Sequence, residues 1–132
     1  MAADFLDTNV LVYLTSGDPL KAGRVERLLE KECVVSVQVL NEIVNVARRK
    51  MRLDWREIHN WLALVRELTT VMPMSIDTHE AGIRLAERYR LSTYDGMIVG
   101  AALLAGCETV WSEDMQDGLR LNEQLTIRNP FT

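Results

Sequence analysis

Four carboxylates stand where folded strands and helices can bring them together: Asp7, Glu42, Asp95 and Asp114. Asp7 directly follows a short strand candidate, Asp4-Phe5-Leu6. Asp114 lies just past another, Thr109-Val110-Trp111. Glu42 falls early in a helix that follows the strand candidate Cys33-Val34-Val35, and Asp95 falls in the first turn of a helix opened near Ser92. Clustered carboxylates raise one another's pKa unless a cation neutralises them. Mg²⁺ and Mn²⁺ are hard ions that take oxygen ligands of this kind. Two such ions a few ångströms apart can activate water and stabilise the leaving oxygen in phosphodiester hydrolysis. The formal charge of −4 equals the charge of these four residues, so the rest of the chain is neutral.

Each acid also has a plainer use. Asp7 can cap a helix starting at Thr8. Ser92 and Asp95 have the spacing of a capping box. Asp114 and Asp117 can be two solvated acids in a turn. Glu42 can lie on a solvated helix face, although its neighbours at three and four positions are Gln38, Val39, Asn45 and Val46, none of them a cation. His59 and His79 sit on helices with no His or Cys at ligand spacing, which reads them as helix-surface residues and disfavours acid–base chemistry by histidine. Cys33 and Cys107 lie in apolar runs; they make neither a disulfide framework nor a four-Cys zinc site. They read as small buried hydrophobes, in keeping with a reducing, cytoplasmic setting.

The elements that must position these residues alternate in type. Strand candidates fall at 4–6, 33–35, 71–74, 109–111 and 125–128, with Pro73 suiting an edge. Helices are expected over Lys21–Lys31, Gln38–Met51 with Ser36 as cap, Asp54–Thr69 with Asp54 as cap, Asp77–Tyr89 with Asp77 as cap, and from Ser92 or Thr93 to Ala105. Val10–Leu14 is wholly apolar and reads as either a continued strand or a buried helix. This alternation specifies an α/β sandwich with a mostly parallel sheet. Ligands of such sheets bind beyond the carboxyl ends of the strands, which is the edge where the four acids fall.

The 132 residues form one domain, 1–132, with 48% apolar composition and no repeat or low-complexity stretch. The longest uncharged helical stretch, Gly96–Cys107, has 12 residues, too few to span a membrane. Asp4 and Asp7 interrupt the first apolar stretch, so no signal peptide is expected. A pI of 5.2 excludes a protein that coats nucleic acid with a wholly basic surface. The densest basic cluster is Arg48, Arg49, Lys50, Arg52 and Arg56, at the end of the Glu42 helix. It reads either as a solvated helix end that suits the C-terminal dipole, or as a rail for phosphates or an acidic segment. Trp55 and Trp61 read as core or interface packing.

Four stretches carry a resemblance: Phe5-Leu6-Asp7-Thr8-Asn9, Ser36-Val37-Gln38-Val39-Leu40-Asn41-Glu42, Leu91-Ser92-Thr93-Tyr94-Asp95-Gly96-Met97-Ile98-Val99 and Ser112-Glu113-Asp114-Met115-Gln116-Asp117-Gly118. In order and spacing they resemble the PIN domain family, and within it the VapC-type toxins of toxin–antitoxin pairs, over essentially the whole chain. The resemblance implies a PIN-like three-layer α/β/α sandwich with a mostly parallel sheet of about five strands. It implies a metal-dependent endoribonuclease using Mg²⁺ or Mn²⁺, an RNA substrate, a cognate antitoxin and a homodimer. An antitoxin arginine entering the acidic pocket belongs to the same pattern. Carried over position by position, Asp7, Glu42, Asp95 and Asp114 become the catalytic, metal-holding quartet, with Asp117 as an auxiliary metal ligand. Thr8 and Ser112 match small polar positions that orient the acids or a metal-bound water, and Asn9 lies beside them. Arg48, Arg49 and Arg52 become candidate contacts for RNA or antitoxin.

Two positions depart from the family pattern. Gly96 stands where Ala is more usual and is expected to loosen the helix start. Trp111 stands where a smaller aliphatic is common, and is expected either to narrow the site or to pack against a helix. Rival readings fit less well. A receiver-like phosphoacceptor wants adjacent acids near its start and a late lysine, but the first acid is isolated and no Lys follows Lys50. A haloacid-dehalogenase-like phosphatase wants Asp-x-Asp, which Asp7-Thr8-Asn9 lacks. A non-catalytic PIN-like interaction module would be expected to have lost part of the quartet, which here is complete.

Overall fold

The computed structural model describes residues 2–132. The elements run β1 (Asp4–Leu6), α1 (Thr8–Leu11), α2 (Pro19–Leu28), β2 (Cys33–Ser36), α3 (Val37–Arg49), α4 (Trp55–Leu68) and β3 (Thr70–Met72). They continue through α5 (Ile76–Tyr89), α6 (Thr93–Leu104), β4 (Thr109–Trp111), β5 (Arg120–Leu121) and β6 (Leu125–Arg128). The strands form one sheet in the order β3-β2-β1-β4-β6-β5. All neighbours are parallel except β5, which runs antiparallel to β6. The sheet therefore has six strands where about five were expected. The addition is β5, whose two residues are too short to show any period in the sequence.

Helix starts follow from short polar side chains that satisfy orphan backbone donors. Asp18 accepts from Lys21 N, and Pro19 occupies the first turn, so α2 begins ahead of the expected Lys21. Ser36 caps α3 as read from the sequence. Asp54 and Glu57 make a full capping box on α4. On α5 the cap is Ser75, not Asp77, which instead lies in the first turn where its charge suits the helix dipole. The Val10–Leu14 stretch is helical, because Asp7 ends β1 and caps Thr8; α1 then tightens into a 3-10 turn over Val12–Leu14.

Phe5, Leu6, Val34 and Val35 are all buried. Successive strand residues point to opposite faces, so β1 and β2 are covered on both sides, as a parallel sheet requires. The edge strand β3 ends at Met72, just before Pro73. Gly96 has a packing reason. A Cβ there would stand 2.6 Å from the Gly82 carbonyl oxygen, and one on Gly100 would stand 2.8 Å from Gly82 Cα. These glycines let α5 and α6 touch backbone to backbone. Trp111 packs rather than narrows the crevice: its Nε1 donates to Asp4 Oδ2 at 3.0 Å, and the Arg24 guanidinium of α2 lies 5.5 Å from its ring centre. Among the described residues, no helix is long and apolar enough to cross a membrane.

From β1 the chain moves outward to β2 and β3, then returns to add β4 on the other side of β1. The crevice beyond the carboxyl ends of β1 and β4 lies at this reversal, the usual ligand position of an open parallel sheet.

Candidate active site

Asp7 leaves β1 at the mouth of that crevice, with its N–H donating to the Trp111 carbonyl at 3.0 Å. Its Oδ1 accepts the Thr8 N–H at 2.8 Å, so the helix-cap reading holds. That use takes one oxygen only. Oδ2 accepts from Ser112 Oγ at 2.8 Å and from Asn9 Nδ2 at 3.1 Å. The residue is only 4% exposed. Burial pushes its carboxyl up to about 6; the Ser112 and Thr8 hydrogen bonds oppose this, and the charges of Glu42 and Asp95 add to it.

Glu42 lies in the early part of α3 with both oxygens engaged. Thr8 Oγ1 donates to Oε1 at 2.7 Å and Gln38 Nε2 donates to Oε2 at 3.2 Å. Asp95 gives its N–H to the Ser92 cap at 3.1 Å. The return arm of a capping box, from the Ser92 N–H to the Asp95 carboxylate, is not formed. Burial raises the pKa of Asp95, the Ser92 hydroxyl lowers it, and the charge of Asp114 raises it. Asp114 follows β4, and its Oδ2 accepts from Asn9 Nδ2 at 3.3 Å.

These four acids line one cavity of about 540 Å³, together with Thr8, Asn9, Tyr13, Asn45, Lys50 and Glu113 among others. Asn9 joins its two sides. Its Nδ2 spans Asp7, Ser112 and Asp114, while its Oδ1 accepts the Glu113 N–H at 2.9 Å. Ser112 is fully buried; it donates to Asp7 and accepts the Met115 N–H at 3.3 Å.

Other expected site residues lie elsewhere. Asp117, the expected auxiliary ligand, is exposed and is not in the cavity lining; its Oδ1 accepts the Asn129 N–H at 2.8 Å and ties the loop to the end of β6. Arg48 stacks on Trp55, 4.8 Å from the ring centre, and Arg49 and Arg52 are exposed. None of the three arginines lines the cavity; their neighbour Lys50 does. His59 and His79 are exposed on helices. Cys33 and Cys107 are buried, and burial pushes both thiols up to about 11. Trp61 is buried in the core, whereas Trp55 is 53% exposed.

Glu113 was not singled out in the sequence. It accepts from Lys21 Nζ at 2.9 Å and from Tyr13 Oη at 2.6 Å. Burial pushes its carboxyl upward, but Tyr13 and Lys21 outweigh that and hold it below the usual range. Its position between Ser112 and Asp114 was the available signal, but its partners are far away in sequence.

The donor set is all oxygen and strongly anionic, which is the chemistry a hard divalent cation takes. The acids surround the cavity without closing on a point: among the described residues, no group of three His, Cys, Asp or Glu side chains is gathered tightly enough to hold an ion as it stands. The donor types therefore fit such an ion, while their present spacing is open.

Fold and site together define an α/β domain with an acidic crevice at its topological switch point. The PIN domain family model matches residues 5–117, and the chain belongs to that family. Among curated proteins nothing matches. Solved structures share the fold. A toxin–antitoxin complex from Klebsiella pneumoniae is 19% identical with a TM-score of 0.73, covering 97% of this chain and 98% of that one. VapBC2 from Rickettsia felis, bound to a promoter DNA fragment, is 18% identical with a TM-score of 0.71, covering 96% and 98%. VapC20 from Mycobacterium tuberculosis, a sarcin–ricin loop cleaving toxin, is 18% identical with a TM-score of 0.65, covering 85% and 90%.

Proposed function

We propose that this protein is an endoribonuclease that hydrolyses RNA phosphodiester bonds with Mg²⁺ or Mn²⁺, and that it is the toxin of a toxin–antitoxin pair. The observation that carries this reading is the meeting of Asp7, Glu42, Asp95 and Asp114 around one cavity. The RNA-cleaving activity in the description of VapC20 supports the substrate class, and the toxin–antitoxin complexes of the same fold support an antitoxin partner. The place of action is the cytoplasm. A homodimer would cover apolar side chains that α4 leaves outside, such as Leu64 and Leu68, each 42% exposed.

In this reading Asp7, Asp95 and Asp114 hold the cation, and Glu42 completes the site or orients water. When bound, the cation supplies Lewis acidity and counter-charge for attack of water on phosphorus. The protein's own residues set the orientation. Ser112 and Asn9 hold Asp7 Oδ2, and the Thr8 N–H holds Oδ1, so the carboxylate plane is fixed from both sides. Thr8 Oγ1 and Gln38 fix Glu42 in the same way. Attack of water in line with O3′ forms the new P–O bond, breaks P–O3′ and leaves a 5′-phosphate and, after O3′ takes a proton, a 3′-hydroxyl; it needs no 2′-hydroxyl.

The test is sequencing of new 5′-phosphate ends in total RNA treated with the protein and Mg²⁺ or Mn²⁺, with Asp95→Asn alongside. Discrete ends made only by the unmutated protein are expected. Equal ends from both proteins would remove Asp95 from the site. No ends from either would favour the interaction module, and labelling by a small phosphodonor would favour the receiver-like domain.

A further inference from the structure

A cavity lined by carboxylates repels the polyanion it would cut, even after a cation has bound, because the approaching strand carries one charge per phosphate. A cationic side chain facing the cavity would offset that repulsion. Of the described residues lining it, Lys50 is the one cation. It is the C-cap of α3, one residue past Arg49. It is exposed and, among the described residues, makes no ion pair or side-chain hydrogen bond with any of the five carboxylates that share the cavity. A cavity-lining ammonium with no carboxylate partner can take another anion that enters the cavity.

The other cations near the site are committed or turned elsewhere. Lys21 Nζ is held by Glu113 at 2.9 Å and Tyr13 at 3.1 Å, with the Tyr13 and Phe131 rings beneath it. Arg48 lies on Trp55. We infer that Lys50 is a substrate-binding residue whose ammonium takes a non-bridging phosphate oxygen of the RNA strand beside the acids. The inference rests on the ribonuclease reading above and makes one member of the basic cluster its working part. As a compact point charge with three donors, lysine suits a phosphate contact that is independent of base identity.

The test compares Lys50→Gln and Lys50→Arg with the unmutated protein, using a labelled single-stranded RNA that the protein has been shown to cut. Binding is read by fluorescence anisotropy across a salt series in an Asp95→Asn background, and kcat and KM are read with Asp95 intact. Lys50→Gln is expected to raise KM and the RNA Kd roughly tenfold, the size of one charge-assisted contact. It is expected to flatten the slope of log K against log salt by about 0.7, one single-strand phosphate contact, with kcat changed less than about twofold. Lys50→Arg restores most of the binding. The Mn²⁺-induced rise in Tm persists in Lys50→Gln, showing that fold and acids are intact. Unchanged KM and salt slope in Lys50→Gln would overturn the inference and leave the nuclease standing. So would a loss confined to kcat and the Mn²⁺ response, which would make Lys50 a tuner of the acids. Absence of any RNA cleavage by the unmutated protein would defeat the ribonuclease reading, and this inference with it.

Discussion

Asp7 is both a structural cap and a candidate ligand, and its burial opposes the negative charge that a ligand needs. Its carboxyl stands at about 6 in the folded protein against an ordinary 3.8. The native state therefore holds this proton more tightly than the unfolded chain. That contribution to stability is fully present below 3.8 and is lost as pH rises through about 6. In chelator, Asp7 is expected to make the protein more stable at pH 4.5 than at pH 6.5 by about 2 kcal/mol. Thermal melts of the unmutated protein and Asp7→Asn over this window isolate the effect, because the variant cannot titrate there. A bound cation should raise Tm at neutral pH by mass action, and Asp7→Asn should blunt that rise. Equal cation-induced shifts in both would exclude Asp7 as a ligand. Asn9 gives a second test. It touches Asp7 and Asp114 from one amide, so Asn9→Ala should lower activity or cation affinity by about 10–100-fold, as loss of a ligand-orienting residue typically does. Cation titration followed by Tm separates the two effects.

At the scale of elements, the contact between α5 and α6 decides where Asp95 stands. Gly96 follows Asp95 directly, and its Cα faces the Gly82 carbonyl. Intrinsic propensity favours Ala over Gly inside a helix by about 1 kcal/mol. A Cβ placed 2.6 Å from a backbone oxygen reverses that preference, because the helices must separate to admit it. Gly96→Ala is expected to destabilise by about 1–3 kcal/mol, read from urea midpoints. A stabilised variant would mean that α5 yields easily. The loop after β4 is held differently, by Glu113 against Lys21 and Tyr13. Lys21→Met should release Glu113 toward the acids and lower kcat/KM more than it lowers Tm, since the pair itself is partly solvated.

Across the whole molecule, the strand order explains why acids from distant parts of the chain meet. Asp7 and Asp114 follow adjacent parallel strands, β1 and β4, while Glu42 and Asp95 come from α3 and α6. The charge is distributed to match. The net −4 equals the four acids, and the basic segment at the end of α3 adjoins the cavity through Lys50. If a globally acidic protein binds RNA through this one local patch, as proposed, the salt dependence of binding should be shallow, set by the few phosphates the patch contacts.

The sequence by itself determined what depends on local order. Alternating apolar runs specified a parallel α/β sheet, Ser36, Asp54 and Ser92 marked helix starts, and the placement of Asp7, Glu42, Asp95 and Asp114 after strands or early in helices put them at one sheet edge. These signals are readable because a cap, a period or a strand end needs only a few neighbouring residues. The tertiary structure alone decided what depends on partners across the chain. β5 exists only as a partner of β6, and its two residues carry no period. Gly96 looks like a weak helix start until Gly82 is packed against it. Asp117 shares a loop with Asp114, yet its carboxylate turns to Asn129 and away from the cavity. Lys50 sits among arginines of equal promise, and only the packing of α3 decides which of them lines the cavity. Direction is a property of the packed helix, and charge alone does not encode it.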